Sequence, residues 1–306
     1  MHADALVWFD RKTWQHPSWT VDDLLALKGS RTISVVLPAL NEEKTVGDVV
    51  RSIAPLHGTL VDELIVMDSG STDATTREAT RAGAQVVGRG DVVTHLAPLP
   101  GKGEVLWRSL AAATGDLVVF IDSDLVEPSP ELVPGLLGPL LEHREVQLVK
   151  AFYRRPLRIS DSDTGHGGGR VTELLARPAL GALWPELAGV VQPLGGEYAA
   201  TRSFLEKAAF PVGYGVEIGL LIDAFRSYGL DGIAQVNLGV RKHRNRDLSE
   251  LGRMSRQILE TILEKAGTRS QSGSFTQFVQ VAEEWVPNTV DVELAVRPPI
   301  REVIGA

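Results

Sequence analysis

ISVVLPALNEE, residues 33–43, sets the pattern that the first half of the chain repeats. Ile33-Ser34-Val35-Val36-Leu37 is a β-branched apolar run stopped by Pro38, which reads as a buried strand. Residues 42–53 read as a helix. A second strand covers 62–68 and leads through the turn Ser69-Gly70-Ser71-Thr72-Asp73 into a helix ending near Arg81, with Gly83 as its stop. A third strand, 84–88, precedes a helix over 102–114 that Gly115 ends. DLVVFID, residues 116–122, is a fourth and very apolar strand. Three strand–helix alternations in this order imply an α/β fold with a mainly parallel sheet covered on both faces.

Outside that block the pattern is looser. Residues 146–153, 197–201 and 233–238 are expected strands, and 160–170 a Gly- and Asp-rich loop. Residues 247–265 read as a helix with Leu248, Leu251, Met254, Ile258 and Ile262 on one face, opened by capping-box spacing between Asp247 and Glu250. Residues 1–30 form an arm whose Trp8, Phe9, Trp14 and Trp19 are expected to dock on the body. The final segment has a helix-like stretch near Trp285 and a Pro-rich tail. The division expected is arm 1–30, a regular α/β half 31–150, a less regular half 151–265 and C-terminal tail 266–306, the tail a packing or dimer element.

Composition narrows the function. The 306 residues are 43% hydrophobic and 23% charged, ordinary for a globular chain. There is no cysteine, which removes disulfides, thiolate zinc sites and cysteine nucleophiles. The net charge of −8 argues against a generic nucleic-acid binder. The start, Met1-His2-Ala3-Asp4, lacks a basic region followed by an apolar stretch, and no apolar run is long enough to cross a bilayer. The expectation is a cytoplasmic protein with neither nucleic-acid nor membrane partners.

In an open parallel sheet the ligand lies at the carboxyl ends of the strands. Here those ends carry Pro38-Ala39-Leu40-Asn41-Glu42-Glu43, Asp68-Ser69-Gly70-Ser71 and Asp122-Ser123-Asp124, with the turn Gly101-Lys102-Gly103 opening the helix before the fourth strand. Two carboxylates one residue apart after a buried strand suit Mg²⁺ or Mn²⁺; the alternative is a solvated turn with Asp124 as a helix cap. Glu42 could bind a ribose, or it and Glu43 could simply oppose a helix dipole that Asn41 caps. Lys102, beside a helix N-terminus, is placed for a diphosphate. The Lys102 turn is not a Walker A loop, and no G-x-G-x-x-G follows the first strand, which argues against a dinucleotide dehydrogenase. Gly167-Gly168-Gly169-Arg170-Val171-Thr172 is either a phosphate cradle or a flexible loop. The run Arg241-Lys242-His243-Arg244-Asn245-Arg246 is either a solvated face or, through His243, part of a metal site.

Taken in order, V-V-L-P-A-L-N-E-E, M-D-S-G-S-T-D, G-K-G, F-I-D-S-D, G-G-G-R-V-T, G-G-E-Y-A, G-Y-G-V-E-I-G and V-R-K-H-R-N-R resemble GT-A glycosyltransferases, and within them the actinobacterial glucosyl-3-phosphoglycerate synthases. The likeness covers about residues 30 to 265. It implies a GT-A fold, Rossmann-like, with a nucleotide-sugar-binding half over 31–150, an appended acceptor-binding half over 151–265 and C-terminal helices. It also implies a homodimer that moves glucose from UDP-glucose to the 2-hydroxyl of 3-phosphoglycerate with retention, priming methylglucose lipopolysaccharide synthesis. The nucleotide would meet Pro38, Ala39, Leu40, Asn41, Glu42, Ser69, Lys102, Asp122 and Ser123. Asp124 and His243 would hold Mg²⁺ or Mn²⁺. The sugar would meet Leu194, Tyr214, Glu217 and Arg241, and the acceptor Gly169, Arg170, Val171, Thr172 and Asn245. Catalysis would rest on Glu217, Asp122 and Lys102. Glu217 is the one strong candidate nucleophile, but it could equally orient sugar hydroxyls, and same-face attack with the leaving phosphate as base is the expectation. A related transferase with a mannosyl donor or another acceptor, or a nucleotide-binding module without activity, are the alternatives. A nucleotidyltransferase would need a Gly- and Arg-rich loop that residues 38–43 do not provide.

Overall fold

A computed structural model describes residues 2–304 except 155–156, 160–161, 165–168, 241–246 and 269, and only the backbone over 157–159 and 162–164. Its strands are β1 (Thr13–Trp14), β2 (Ile33–Ala39), β3 (Glu63–Asp68), β4 (Gln85–Gly88), β5 (Leu117–Phe120), β6 (Leu148–Arg154), β7 (Leu157–Ile159), β8 (Ser162–Thr164), β9 (Tyr198–Thr201), β10 (Phe210–Pro211), β11 (Ile233–Val240), β12 (Ser274–Val281), β13 (Glu284–Asp291) and β14 (Val296–Arg297). The helices are α1 (Ala3–Lys12), α2 (Val21–Lys28), α3 (Val46–Ile53), α4 (Thr75–Ala82), α5 (Lys102–Ala112), α6 (Leu132–Glu142), α7 (Arg177–Leu183), α8 (Arg202–Leu205), α9 (Val216–Tyr228), α10 (Leu248–Lys265) and α11 (Arg301–Ile304).

One eight-stranded sheet runs in the order β1-β11-β6-β9-β5-β2-β3-β4. Its pairings are parallel except those of β9, which is antiparallel to both β5 and β6. The apolar runs are continuous because both faces are buried. Val36, Ile65, Met67, Val118 and Phe120 enter one core, and Val35, Leu37, Val66, Val119 and Ile121 the other.

The arm docks as expected. Trp8 is buried and its indole donates to Ile233 O at 2.8 Å, while β1 extends the sheet beside β11. The expected loop 160–170 holds β8, which pairs antiparallel with β7, and four further features depart from the sequence reading. First, β2 does not stop at Pro38 but runs to Ala39. Val36 O accepts from Ile121 N, and Pro38 O from Ser123 Oγ at 2.7 Å, so residue 38 faces the β5 side, where β5 has already ended. The missing N–H of Pro38 therefore ends the β2–β5 ladder but spares the pairing with β3, which continues to Ala39. Second, α3 starts at Val46 rather than near Glu42, because Asn41 sits in the left-handed region at φ 58° and redirects the chain. Third, α6 is a helix that its Gly135, Gly138, Pro134 and Pro139 conceal in sequence. It forms because every residue from Leu132 to Leu141 is buried; at Gly138 a Cβ would overlap the Trp19 ring. Fourth, the stretch around Trp285 is not helical. β12 and β13 form an antiparallel hairpin there.

Candidate active site

Lys102 is the first residue of α5, and the glycines on either side let that helix end approach another segment closely. A Cβ at Gly103 would overlap the Pro211 carbonyl, and Gly101 has φ 133° against Val212. Gly103 N donates to Gly213 O at 3.3 Å and Glu104 N to Val212 O at 3.0 Å. Two of the orphan amides of α5 are thus used by the strand-end that leads into α9. The ammonium of Lys102, not the helix end, is what faces the site.

That ammonium lies between Asp122 Oδ1 at 2.6 Å and Glu217 Oε1 at 2.8 Å. Asp122 follows β5 and Glu217 belongs to the first turn of α9, only 5% exposed. Burial works against the charged lysine, but Asp122 and Glu217 outweigh it and hold its pKa well above the ordinary lysine value. A Cβ at Gly196 would overlap the Asp122 carboxylate and Lys102 Nζ, so the turn Gly195-Gly196 presses directly on this cluster. The fold thus gathers the three residues Lys102, Asp122 and Glu217.

The nucleotide candidates line the ends of β2, β3 and β5. Ser123 is buried and ties β5 to Pro38 through the hydrogen bond above; Ala39 is buried in register with Asp68. Asn41 N donates to Ser71 Oγ at 2.9 Å and Glu42 N to Thr75 Oγ1 at 2.7 Å. Asn41 does not cap α3; its side-chain oxygen accepts from Thr72 N at 2.9 Å, stitching the two loops together. Glu43 likewise opposes the dipole of another helix, accepting from Ala74 N at 3.0 Å just before α4. Leu40 is exposed, Ser69 is buried, and Arg89 Nη1 donates to Ser69 Oγ at 3.3 Å.

Asp124 is half-buried two residues beyond Asp122. Among the described residues no three His, Asp or Glu side chains gather as a metal cage. Among the described residues the carboxylates just after β5 are Asp124 and Asp122, the latter with Oδ1 on Lys102. That fits Mg²⁺, which commonly takes one or two carboxylates and completes its shell with phosphate oxygens and water. His243, Arg241 and Asn245 lie outside the described residues.

Across Gly195, a cavity of about 120 Å³ is lined by Gly169, Thr172, Glu173, Arg177, Gln192 and Gly195, among others. Helical structure starts at Arg170, where Glu173 N donates to Gly169 O at 3.0 Å. The amides of the first turn beyond Gly169 therefore have no preceding helical carbonyl. Val171 is buried, so its contribution there is its backbone. Arg177 is held by Glu173 and by the carbonyls of Val190 and Val191. Leu194 is half-buried; Tyr214 N donates to Gln257 Oε1 at 3.0 Å, fixing the segment just before Glu217.

Residues 34–170 match the family described as Glycosyl transferase family 2. The glucosyl-3-phosphoglycerate synthase of Mycolicibacterium smegmatis is 59% identical over 293 residues, covering 96% of this chain and 97% of that one. The chain belongs to the glucosyl-3-phosphoglycerate synthase family. Two crystal structures of the synthase from Mycobacterium tuberculosis superpose with TM-scores of 0.88 at 55% identity, covering 95% of this chain and 98% of theirs. One is a complex with Mg²⁺ and UDP, the other with Mn²⁺, UDP-glucose and phosphoglyceric acid. The GT-A α/β fold follows, and with it the reaction type: the chain is a glycosyltransferase.

Family membership leaves unassigned several polar residues that the fold places beside this site. Lys150 on β6 is 1% exposed and donates to Gly195 O at 2.5 Å. Glu197, fully buried, accepts from Tyr153 OH at 2.6 Å. Gln192 and Gln257 brace the loops before β9 and α9. The available signal was a lysine inside the apolar run LVKAFY, which no solvated-face reading accommodates.

Proposed function

We propose that the chain transfers glucose from UDP-glucose to the 2-hydroxyl of 3-phosphoglycerate with retention at the anomeric carbon. One observation carries the reading: Lys102 stands between Asp122 and Glu217 at the strand ends of a chain 59% identical to a glucosyl-3-phosphoglycerate synthase. The uridine and ribose lie along Pro38, Ala39, Leu40, Asn41, Glu42, Ser69 and Ser123. Lys102 directs its positive charge at the diphosphate, where negative charge grows as the glucosyl bond breaks. Asp124, with His243, holds Mg²⁺ or Mn²⁺, which when bound supplies further positive charge to the same oxygens.

Leu194, Tyr214, Glu217 and Arg241 surround the glucose. Gly169, Arg170, Val171 and Thr172, with Asn245, bind the phosphate and carboxylate of the acceptor through first-turn amides and a guanidinium. A buried Glu217 carboxylate paired with the half-buried Lys102 is better suited to orient sugar hydroxyls than to attack carbon. The acceptor hydroxyl therefore attacks from the face that UDP leaves. Its oxygen forms the new bond to the anomeric carbon, the bond to the β-phosphate oxygen breaks, and the hydroxyl proton passes to the departing phosphate.

The chain acts in the cytoplasm as a homodimer, with segment 266–306 as the dimer element. Among the described residues no helix is long and apolar enough to cross a membrane. The test is turnover with UDP-glucose and 3-phosphoglycerate, with and without Mg²⁺, in the parent and in Asp124→Ala. The parent should be active only with the cation. The folded variant should lose that turnover, since it loses one of few protein ligands. Parent-like rates in Asp124→Ala, or turnover preferring a mannosyl donor, would refute the reading.

A further inference from the structure

We propose that Lys150 is a positioning residue for glucosyl transfer, its buried ammonium fixing the Gly195-Gly196 turn between the acceptor cavity and the Lys102–Asp122–Glu217 cluster. This deepens the function proposed above and rests on it. Lys150 lies in the middle of the sheet, paired in register with Tyr198 on β9 and Gln235 on β11. Its ammonium sits 4.7 Å over the Tyr198 ring and donates to Gly195 O at 2.5 Å. With 1% exposure it reaches no substrate itself.

The turn it holds has two working sides. Gly195 lines the cavity together with Gly169 and Thr172. Gly196 abuts Asp122 and Lys102 so closely that no Cβ fits. A shift of that turn would change the distance between acceptor and donor sugar, to which transfer rates are steeply sensitive. An apolar side chain could fill position 150 without the penalty of burying a charge. The lysine differs from it in having a donor for the Gly195 carbonyl and a positive charge that Glu217, Glu197 and Asp122 favour and Lys102 opposes. Burial lowers its pKa to about 8, and Glu217 only partly offsets this, so the ammonium is retained near neutrality.

The test is Lys150→Met, with Lys150→Arg as the charge-keeping partner. The expected result for Met is a kcat lowered about tenfold or more and a raised KM for 3-phosphoglycerate, as for loss of a charge-assisted hydrogen bond. The Kd for UDP with Mg²⁺ should stay within about twofold and the Tm should not fall; Arg should recover part of kcat. Amide hydrogen exchange across residues 192–197 should quicken in Lys150→Met, a readout independent of substrate. Should Lys150→Met not fold, Lys150→Gln is read by the same criteria. Unchanged exchange over 192–197 would overturn the proposal whatever the parent transfers. So would parent-like kcat and acceptor KM. A parent that makes no glucosyl-3-phosphoglycerate, with exchange still quickened in the variant, would sink the proposed function and leave the clamp standing.

Discussion

At Lys102 two carboxylates share one ammonium, and removing either asks how much of the site depends on the pair. Glu217→Gln keeps an acceptor oxygen 2.8 Å from that nitrogen but removes a charge. We expect kcat to fall about 10- to 150-fold, the range for losing a charged hydrogen bond, with α-configured product still formed. Mass spectrometry of the parent after donor incubation should find no glucose on Glu217; an adduct there, with transfer abolished in the variant, would make Glu217 a nucleophile. At Lys150 the consequence is one of pH. Its pKa is about 8 in the folded chain against an ordinary 10.5. Between those values the unfolded state binds more protons, so this residue raises stability as pH rises through that window and adds nothing further below about 8. Urea melts of parent and Lys150→Met should show their difference moving in the parent's favour above pH 8, by up to about 1.4 kcal/mol per pH unit. A difference flat to pH 10 would contradict the buried, charge-strained lysine.

The N-termini of α5 and α9 form one unit, because the carbonyls before α9 cap the amides of α5. Gly103→Ala should drive a methyl into the Pro211 carbonyl, costing about 1–3 kcal/mol and displacing Lys102. Urea unfolding and kcat measured together check this; a stable variant with parent kcat would show that the close approach is not needed. The elements supporting this unit were unevenly legible. β2, β3 and β5 were readable because strands buried on both faces are continuous apolar runs. α6 was not, since its glycines and prolines oppose helix and only burial of Leu132 to Leu141 overrides them. The hairpin β12–β13 is hidden in the sequence because its residues are mostly exposed and its pairing partner decides its state. Of the site, Asp122, Ser123 and Lys102 showed at strand and helix ends. The Lys102–Glu217 pair did not, because its partners are far apart in sequence and nothing local reports the contact.

Across the whole molecule the tail returns to the site. β14 pairs with β10, and Arg297 binds Glu104 at 2.7 Å, while Arg108 holds the same carboxylate at 2.6 Å and the carbonyls of Val92 and Leu96. The loop before Lys102 is thereby anchored by the C-terminal segment. Between α10 and β14, the hairpin presents Phe278, 64% exposed, and Trp285, 68% exposed, as diagonal neighbours on one face. If 266–306 is the dimer element, the double variant Phe278→Ser, Trp285→Ser should sediment as a monomer where the parent sediments as a dimer. A monomeric parent, or a variant still dimeric, would remove that role. The account as a whole stands on the identity and stereochemistry of one product. Proton and phosphorus NMR of the parent's reaction with UDP-glucose, 3-phosphoglycerate and Mg²⁺ should show an α-glucosyl unit on the 2-hydroxyl, with UDP released in equal amount. A β-anomer, a sugar carried elsewhere on the acceptor, or UDP released with free glucose alone would contradict it.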